Sequence, residues 1–389
     1  MRVLIDYRPA LRERSGSGEY THQLTKALLT SAAAAGTARA LAVTLFSSSW
    51  KDRLTRTPEL AGAAIVDRRV PVRLLNLAWH RLEWPPVEML AGNTYDVVHS
   101  PHPLLMPARG AAQIITIHDL NFLTHPERTR AEVRRDYAPL ARPHAHRADA
   151  ILVPSAYTAG EVERLLGVAR DRIAICPAGA PGWPPRPAAP KDGYVLFLGT
   201  LEPRKNIGGL LDAWEQLLAS ATRDGLKAVP SRRVLPELVL AGRTTGDAAP
   251  WLERIGRPPL LGTVRHIGYV SDRDRRALYE GARVLVHPSF DEGFGMTVLE
   301  AMSLGVPVVA SDRGSLPEVL GGAGLLVDPD RPADIADAIA RVLGDEGLAE
   351  SCAARGVARA RAFRWAHTAD RVIDAYHAAV ERALTRRRT

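Results

Sequence analysis

The stretch ARVLVHPSFDEGFGMTVLEAMSLGV, residues 282–306, decides the architecture, because residues 148–168, ADAILVPSAYTAGEVERLLGV, run the same way. Each is an apolar run that meets a Pro-Ser turn, a loop, a helical segment and a glycine stop. A short apolar run bounded by turn residues and followed by a helix reads as a strand of a parallel sheet covered on both faces. Working outward from the first copy, RVLID, ALAVTLFS, DVVHS, QIITIH and AILVPS alternate with segments such as GSGEYTHQLTKALLTSAAAA. Around the second, YVLFLG, ELVLAG, VRHIGYV, RVLVHPS and PVVAS alternate with NIGGLLDAWEQLLAS, DRDRRALYEGA and MTVLEAMSLG. Between the halves lies CPAGAPGWPPRPAAPKDG, residues 176–193, too rich in Pro and Gly to sustain a helix or a central strand. The pattern predicts two similar α/β domains, 1–178 and 193–365, joined by a linker at 179–192. The final helix, 366–389, has an apolar stripe through Val372, Ile373, Tyr376, Ala379 and Val380, and is expected to pack back on the first domain. Its RRR end reads as a solvated terminus. Ligands of such sheets bind beyond the carboxyl ends of strands, so the site is expected in a central cleft between the halves.

Composition narrows the class. A chain of 389 residues that is 46% hydrophobic and 24% charged is a folded protein, and is long enough for two cores. No apolar run approaches the roughly 20 residues that span a bilayer. MRVLIDYRPALRERSG reads as a first strand rather than a signal peptide. Cys176 and Cys352 form no spaced framework, which suits a reducing compartment, so the cytoplasm is expected. The net charge of +8 could serve nucleic acid, anionic lipid or a phosphorylated ligand. Scattered arginines and 6% aromatic residues argue against a nucleic-acid partner. Lysine is rare, the basic residues being almost all arginine, so a lysine at a strand end invites a reason.

Two such places stand out. In FDEGFGMTVLE, Gly293 and Gly295 permit a tight turn, and a helix begins near Met296 or Thr297. Its N-terminus offers free N–H groups and partial positive charge, which suit phosphate. Glu300 lies one turn into that helix, roughly 6 Å along it, where a carboxylate can accept hydrogen bonds from two neighbouring hydroxyls. Glu292, on the loop, faces whatever is attached to the phosphate. Either glutamate alone would pass for a surface charge. The second place is FLGTLEPRKN, which sets Arg204 and Lys205 just after a strand, where lysine supplies a point charge and arginine a two-pronged grip on phosphate. Arg243 also ends a strand. In the first half, His118 closes QIITIH, and SGSGEYTHQL makes a glycine turn that includes Gly18 but lacks a full dinucleotide fingerprint. His99 and His102 read as structural. The two D-x-D triplets, 272–274 and 328–330, lack companion ligands and also read as structural. Ser271 suits the cap of a helix over the first.

These residues resemble the retaining glycosyltransferases of the GT-B fold in family four, typified by bacterial mannosyl- and glucosyltransferases. The most specific shared feature is the E-x7-E motif, Glu292 to Glu300, within PSFDEGFGMTVLEAMSLGVPVVASDRGSLPEV; GTLEPRKN, TIHDLNFLTHPE and ADAILVPSAYTAGEV support it. The resemblance implies two Rossmann-like domains facing a cleft, a nucleoside diphosphate sugar as donor, and no cofactor or metal. It implies that Glu300 holds the donor ribose and Glu292 the transferred sugar. The backbone of Gly293, Phe294, Gly295, Met296 and Thr297 would line the sugar-phosphate. Arg204 and Lys205 would neutralise the leaving diphosphate, and His118 would lie beside the reacting centre. Gly18 matches a glycine that admits the diphosphate and acceptor. One departure is Thr200, where many relatives carry arginine. The implied reaction is transfer of a hexose, mannose first and from GDP-mannose, to a glycan or lipid-linked acceptor in polysaccharide assembly.

Two other readings fit parts of the chain: a sugar-nucleotide epimerase on the same fold, and a basic nucleic-acid binder. Basic residues with Trp79 or Trp84 in RRVPVRLLNLAWHRLEWPPVEML would suit peripheral contact with the inner face of a membrane; a helix packed on the first sheet accounts for the same segment.

Overall fold

A computed structural model describes residues 1–11, 14, 16–34, 41–129, 135–224 and 235–388. Ser15 of the first glycine turn, Lys227 and Thr389 lie outside the described residues. The chain forms two compact units: Met1–Gly179 together with Arg364–Thr389, and Ala180–Phe363.

In the first unit β1 (Arg2–Asp6), β2 (Ala42–Ser48), β3 (Ala64–Arg68), β4 (Val97–Ser100), β5 (Ala112–Thr116), β6 (Ala150–Val153) and β7 (Ile173–Ile175) form one sheet. All its pairings are parallel, in the order β3-β2-β1-β4-β5-β6-β7. Val3, Leu4, Ile114, Ile115, Ile151 and Leu152 are completely buried, as strands covered on both faces require. The second unit repeats the design with β8 (Tyr194–Leu198), β9 (Leu238–Ala241), β10 (Val264–Gly268), β11 (Ala282–His287), β12 (Val308–Ser311) and β13 (Leu325–Val327). Its order is β10-β9-β8-β11-β12-β13, again all parallel.

The sequence pattern passed over β3, β7 and β13. All three are sheet edges. β7 and β13 are three residues long and β3 is half exposed, so none carries a long apolar run. The echo between 148–168 and 282–306 does not extend to sheet position. β6 lies next to the edge of its sheet, whereas β11 is central and pairs with β8. The shared pattern marks a strand-turn-helix unit, and not an equivalent place in the two sheets.

The Trp365–Arg388 helix lies against the Ser17–Ala34 helix and β5 of the first unit. Val372, Ile373, Tyr376 and Ala379 face inward and Val380 is half-buried. The Tyr376 hydroxyl meets His99 Nδ1 at 2.8 Å, and the Thr116 hydroxyl meets His99 Nε2 at 2.8 Å. Gly179 could not carry a side chain, since a Cβ would lie 2.3 Å from the Trp365 nitrogen. The terminal arginines are exposed, as a solvated end would be, and still make contacts: Arg386 pairs with Asp149 at 2.8 Å, and Arg387 donates to the Gly110 carbonyl. The proline-rich stretch is likewise no slack tether. The Arg186 amide donates to the Leu304 carbonyl at 3.1 Å, and the Trp183 ring sits 6.2 Å from that of Tyr279.

Of the two tryptophans singled out in the 68–90 segment, Trp79 is buried. Its indole N–H donates to the Pro85 carbonyl at 2.9 Å and the Arg8 guanidinium stands over its ring. Trp84 alone of the pair faces solvent.

Replacing Tyr376 by Phe leaves one nitrogen of the buried His99 ring unpaired, and should lower stability by about 1–3 kcal/mol. Urea unfolding checks this; an unchanged midpoint would show that the hydroxyl contributes nothing to seating the helix.

Candidate active site

In the second unit the strand order reverses direction between β8 and β11. The loops that follow two such strands diverge and leave a crevice at the carboxyl edge of the sheet. The loop after β8 carries Arg204 and Lys205; the loop after β11 carries Glu292. The structure joins them. Arg204 Nη1 donates to Glu292 Oε2 at 3.1 Å and to the Asp291 carbonyl at 3.0 Å, and Nη2 reaches Glu202 at 3.0 Å. Lys205 Nζ pairs with Glu292 Oε1. The Phe290 amide donates to the Arg204 carbonyl at 2.9 Å, so the loops are also tied through their backbones.

Local chemistry explains how each side chain is placed. Pro203 starts a single tight turn through Lys205, and Asn206 follows in the left-handed conformation at φ +56°. Asn tolerates that conformation because its short amide bonds locally. Its Oδ1 accepts the Gly209 amide at 3.1 Å, and its Nδ2 donates to the Pro329 carbonyl at 2.7 Å. One residue therefore caps the Ile207–Asp224 helix and fixes the Lys205 backbone. On the other loop, both the amide and the hydroxyl of Ser315 donate to the Glu292 carbonyl at 2.9 Å. Gly314, at φ +63°, lies so close that a Cβ would approach Glu292 to 2.7 Å.

His287, the last residue of β11, was quoted in the motif but given no role. Its ring is buried and stacks parallel to that of Phe197, 6.1 Å away. Burial lowers its pKa, so the ring is neutral at pH 7: Nε2–H donates to Glu292 Oε1 at 2.7 Å and Nδ1 accepts from the Thr297 hydroxyl at 3.3 Å. Burial alone would raise the Glu292 carboxyl, but Lys205, Arg204 and His287 together outweigh it and hold it well below the usual carboxylate range. Glu292 is a fixed anion.

The helix after this loop runs Met296–Ser303, and Gly295 precedes it at φ +97°. No side chain caps its first turn, which also holds no acidic residue. Those N–H groups and the helix dipole favour an anion there. Met296 and Thr297 are half exposed at this end, whereas the Phe294 side chain packs edge-on against Phe363. At residue 294 the backbone, rather than the ring, is what a ligand could meet. Glu300 lies one turn further in. The Tyr279 hydroxyl donates to its Oε2 at 2.8 Å, and Arg275 approaches Oε1 at 3.6 Å. Tyr279 and Arg275 escaped the sequence reading because they lie on a different helix, Asp272–Glu280, that only the fold brings alongside.

The remaining expected residues are placed as follows. Arg243 stands with its guanidinium 4.8 Å over the Tyr269 ring. His118 belongs to the first unit, just beyond β5, with its ring edge-on to Tyr20. Burial depresses its pKa to about 4, a ring N–H donates to the Pro101 carbonyl, and Nε2 is left as a buried acceptor without a hydrogen-bond partner. Gly18 has a reason within its own unit: a Cβ there would lie 2.5 Å from the Pro9 carbonyl oxygen. Both D-x-D triplets find protein partners. Ser271 caps the helix over the first through the Asp274 amide, and Arg313 pairs with Asp328 at 3.0 Å and Asp330 at 3.4 Å. Of the histidines read as structural, His99 is buried among hydroxyls, while His102 Nε2 lies 3.2 Å from Asp6.

The family model for group 1 glycosyl transferases matches residues 184–359, and that for glycosyltransferase family 4 matches 15–181. An O-antigen chain mannosyltransferase B of Escherichia coli is 37% identical over 72% of this chain and 74% of its own length. A D-inositol 3-phosphate glycosyltransferase of Nocardia farcinica is 30% identical; the match covers 60% of this chain and 53% of that relative. Among solved structures, sucrose-phosphate synthase from Thermosynechococcus elongatus aligns over 97% of this chain and 98% of its own, with a TM-score of 0.73 at 21% identity. The fold is thus that of the GT-B enzymes, two Rossmann-like parallel-sheet domains. The chain belongs to the group 1, family-four glycosyltransferases.

A carboxyl held below its ordinary value of 4.5 favours the folded state above that pH, and the contribution fades as the pH falls further. Glu292→Gln should therefore cost about 3–5 kcal/mol at neutral pH. The gap from wild type should stay level down to about pH 5 and narrow below it. Urea midpoints across that range measure it. A gap that ignores pH would mean that the carboxylate charge is not what is stabilised.

Proposed function

We propose that this protein transfers a hexose, mannose in the first instance, from a nucleoside diphosphate sugar to a hydroxyl of a glycan or lipid-linked acceptor, with retention of anomeric configuration and without a metal. The observation that carries the reading is the meeting of Arg204, Lys205 and Glu292 beside the uncapped start of the Met296–Ser303 helix, with Glu300 one turn along it. A diphosphate needs fixed positive charge and N–H groups, and a ribose needs a carboxylate about one turn away. Mannose is favoured by the likeness to the O-antigen chain mannosyltransferase, and GDP-mannose follows as the first donor to test.

In this scheme the bond between the anomeric carbon and the phosphate oxygen breaks, and its electron pair goes to the diphosphate. Arg204, Lys205 and the helix N-terminus stabilise the charge that develops, as preorganised groups do without reorganising. These fixed cations are the reason that no metal is required. The acceptor oxygen forms the new bond. Glu292 is a poor candidate for the base that takes its proton, since a general base works best with a pKa near the operating pH. The proton passes instead to a departing phosphate oxygen on the same face, which preserves configuration. Glu292 orients the transferred sugar through its hydroxyls, and the backbone of Gly293–Thr297 lines the sugar-phosphate. His118 is assigned to the reacting centre on the family resemblance. Arg243 and Gly18 are assigned to the donor site on the family resemblance. A cytoplasmic location suits Cys176 and Cys352, both buried and unpaired.

Glu300→Ala and Lys205→Ala should each reduce transfer by about 10²–10³-fold while far-UV circular dichroism stays unchanged. Wild-type turnover in either variant would remove that residue from the site. Across a panel of sugar nucleotides, GDP-mannose should give the largest rise in Tm. Release of free sugar epimer without added acceptor would instead favour an epimerase.

A further inference from the structure

The two oxygens of Glu292 are not equally occupied. Oε1 receives Lys205 Nζ, the His287 Nε2–H at 2.7 Å and, more distantly, the Ser289 hydroxyl at 3.5 Å. Among the described residues Oε2 receives only Arg204 Nη1, at 3.1 Å. A carboxylate oxygen offers about two lone pairs, so Oε1 is filled while Oε2 keeps room for a further donor. A sugar hydroxyl that bonds this carboxylate therefore meets Oε2.

The donors differ in what else they do. Arg204 and Lys205 share one tight turn, and in the reading above they also stabilise the diphosphate. Lysine carries its charge on a flexible stem, so its grip on Glu292 is the least directional. His287 has no second duty and little freedom. Its backbone ends β11, a central strand paired with β8 on one side and β12 on the other. Its ring lies flat against Phe197, with 8° between the planes. Nε2 faces a carboxylate oxygen and so carries the hydrogen, which leaves Nδ1 to accept from the Thr297 hydroxyl at 3.3 Å. A threonine at the start of the Met296–Ser303 helix thus holds the ring in the tautomer that Glu292 needs. We propose that His287 is a positioning residue: from a rigid strand end it pins Oε1 of Glu292 and turns Oε2 toward the hydroxyls of the transferred sugar, with Thr297 fixing its tautomer. This rests on the reading of Glu292 as the group that orients the sugar, and deepens it. The aim of the carboxylate comes from a neutral ring behind it, and its charge is balanced by the two cations.

The test compares a nucleoside diphosphate with its sugar ester, GDP with GDP-mannose, by titration calorimetry on the full chain, alongside transfer kinetics. UDP and UDP-glucose replace them if the uridine pair is the one bound. His287→Phe keeps a stacked ring and removes the donor. Affinity for GDP should stay that of wild type, because His287 reaches the diphosphate site through no bond of its own. The extra affinity that the sugar confers, and kcat, should each fall about ten-fold, as expected for one hydrogen bond to a charged group. His287→Gln, whose side-chain N–H can take the place of Nε2–H, should restore most of both. If His287→Phe fails to fold, His287→Asn, with an amide too short to reach Glu292, takes its place. A donor-less variant that loses Tm but keeps the sugar-dependent affinity and kcat would overturn the proposal. So would equal loss of GDP and GDP-mannose affinity, or a His287→Gln enzyme no better than His287→Phe. A wild type that binds neither sugar nucleotide would remove the donor-site reading itself, and the proposal with it.

Discussion

The second unit depends on how the charge of Glu292 is kept. A carboxylate taken out of water loses hydration worth several kcal/mol, and only close partners make that tolerable. Here the partners come from both sides of the point where the strand order reverses: Arg204 and Lys205 after β8, His287 from the end of β11. The ion cluster therefore does two jobs. It closes the two loops against each other, and it holds two cations at the edge of the sheet in fixed positions.

That arrangement also explains the supporting residues. Asn206, Gly314 and Ser315 were given no ligand contact in the sequence reading. Each sets a backbone on which a charged side chain depends, by a left-handed turn, a close approach or a pair of hydrogen bonds. Tyr279 does the same for Glu300 through a single hydroxyl. In a Rossmann-like unit the sheet sets where the loops begin; these small and polar residues set where they end.

The apolar runs made the fold class legible, because a doubly covered parallel strand has to be apolar along its whole length. They failed at β3, β7 and β13, where an edge strand is covered less and can be short or half polar. They also could not say that the strand at 150–153 and the strand at 282–287 occupy different places in their sheets, since strand order lies in long-range pairing rather than in any local pattern. At the candidate site, Glu292, Glu300, Arg204 and Lys205 stood out in the sequence as charged residues set beside glycines and strand ends. His287 and Tyr279 did not, because a buried polar ring looks in sequence like any residue of a core strand or helix. The tryptophans show the same limit: Trp79 and Trp84 are five positions apart, and only packing distinguishes them.

The Trp365–Arg388 helix completes the first unit although the whole second unit precedes it in the chain. During synthesis, residues 180–363 leave the ribosome and can close their own core while the Ser17–Ala34 helix and β5 of the earlier unit still lack the cover that this helix provides. The part made first is thus the part finished last. The early sheet must wait with an uncovered apolar flank, and a chaperone that binds such surface would meet this protein at its beginning rather than at its end.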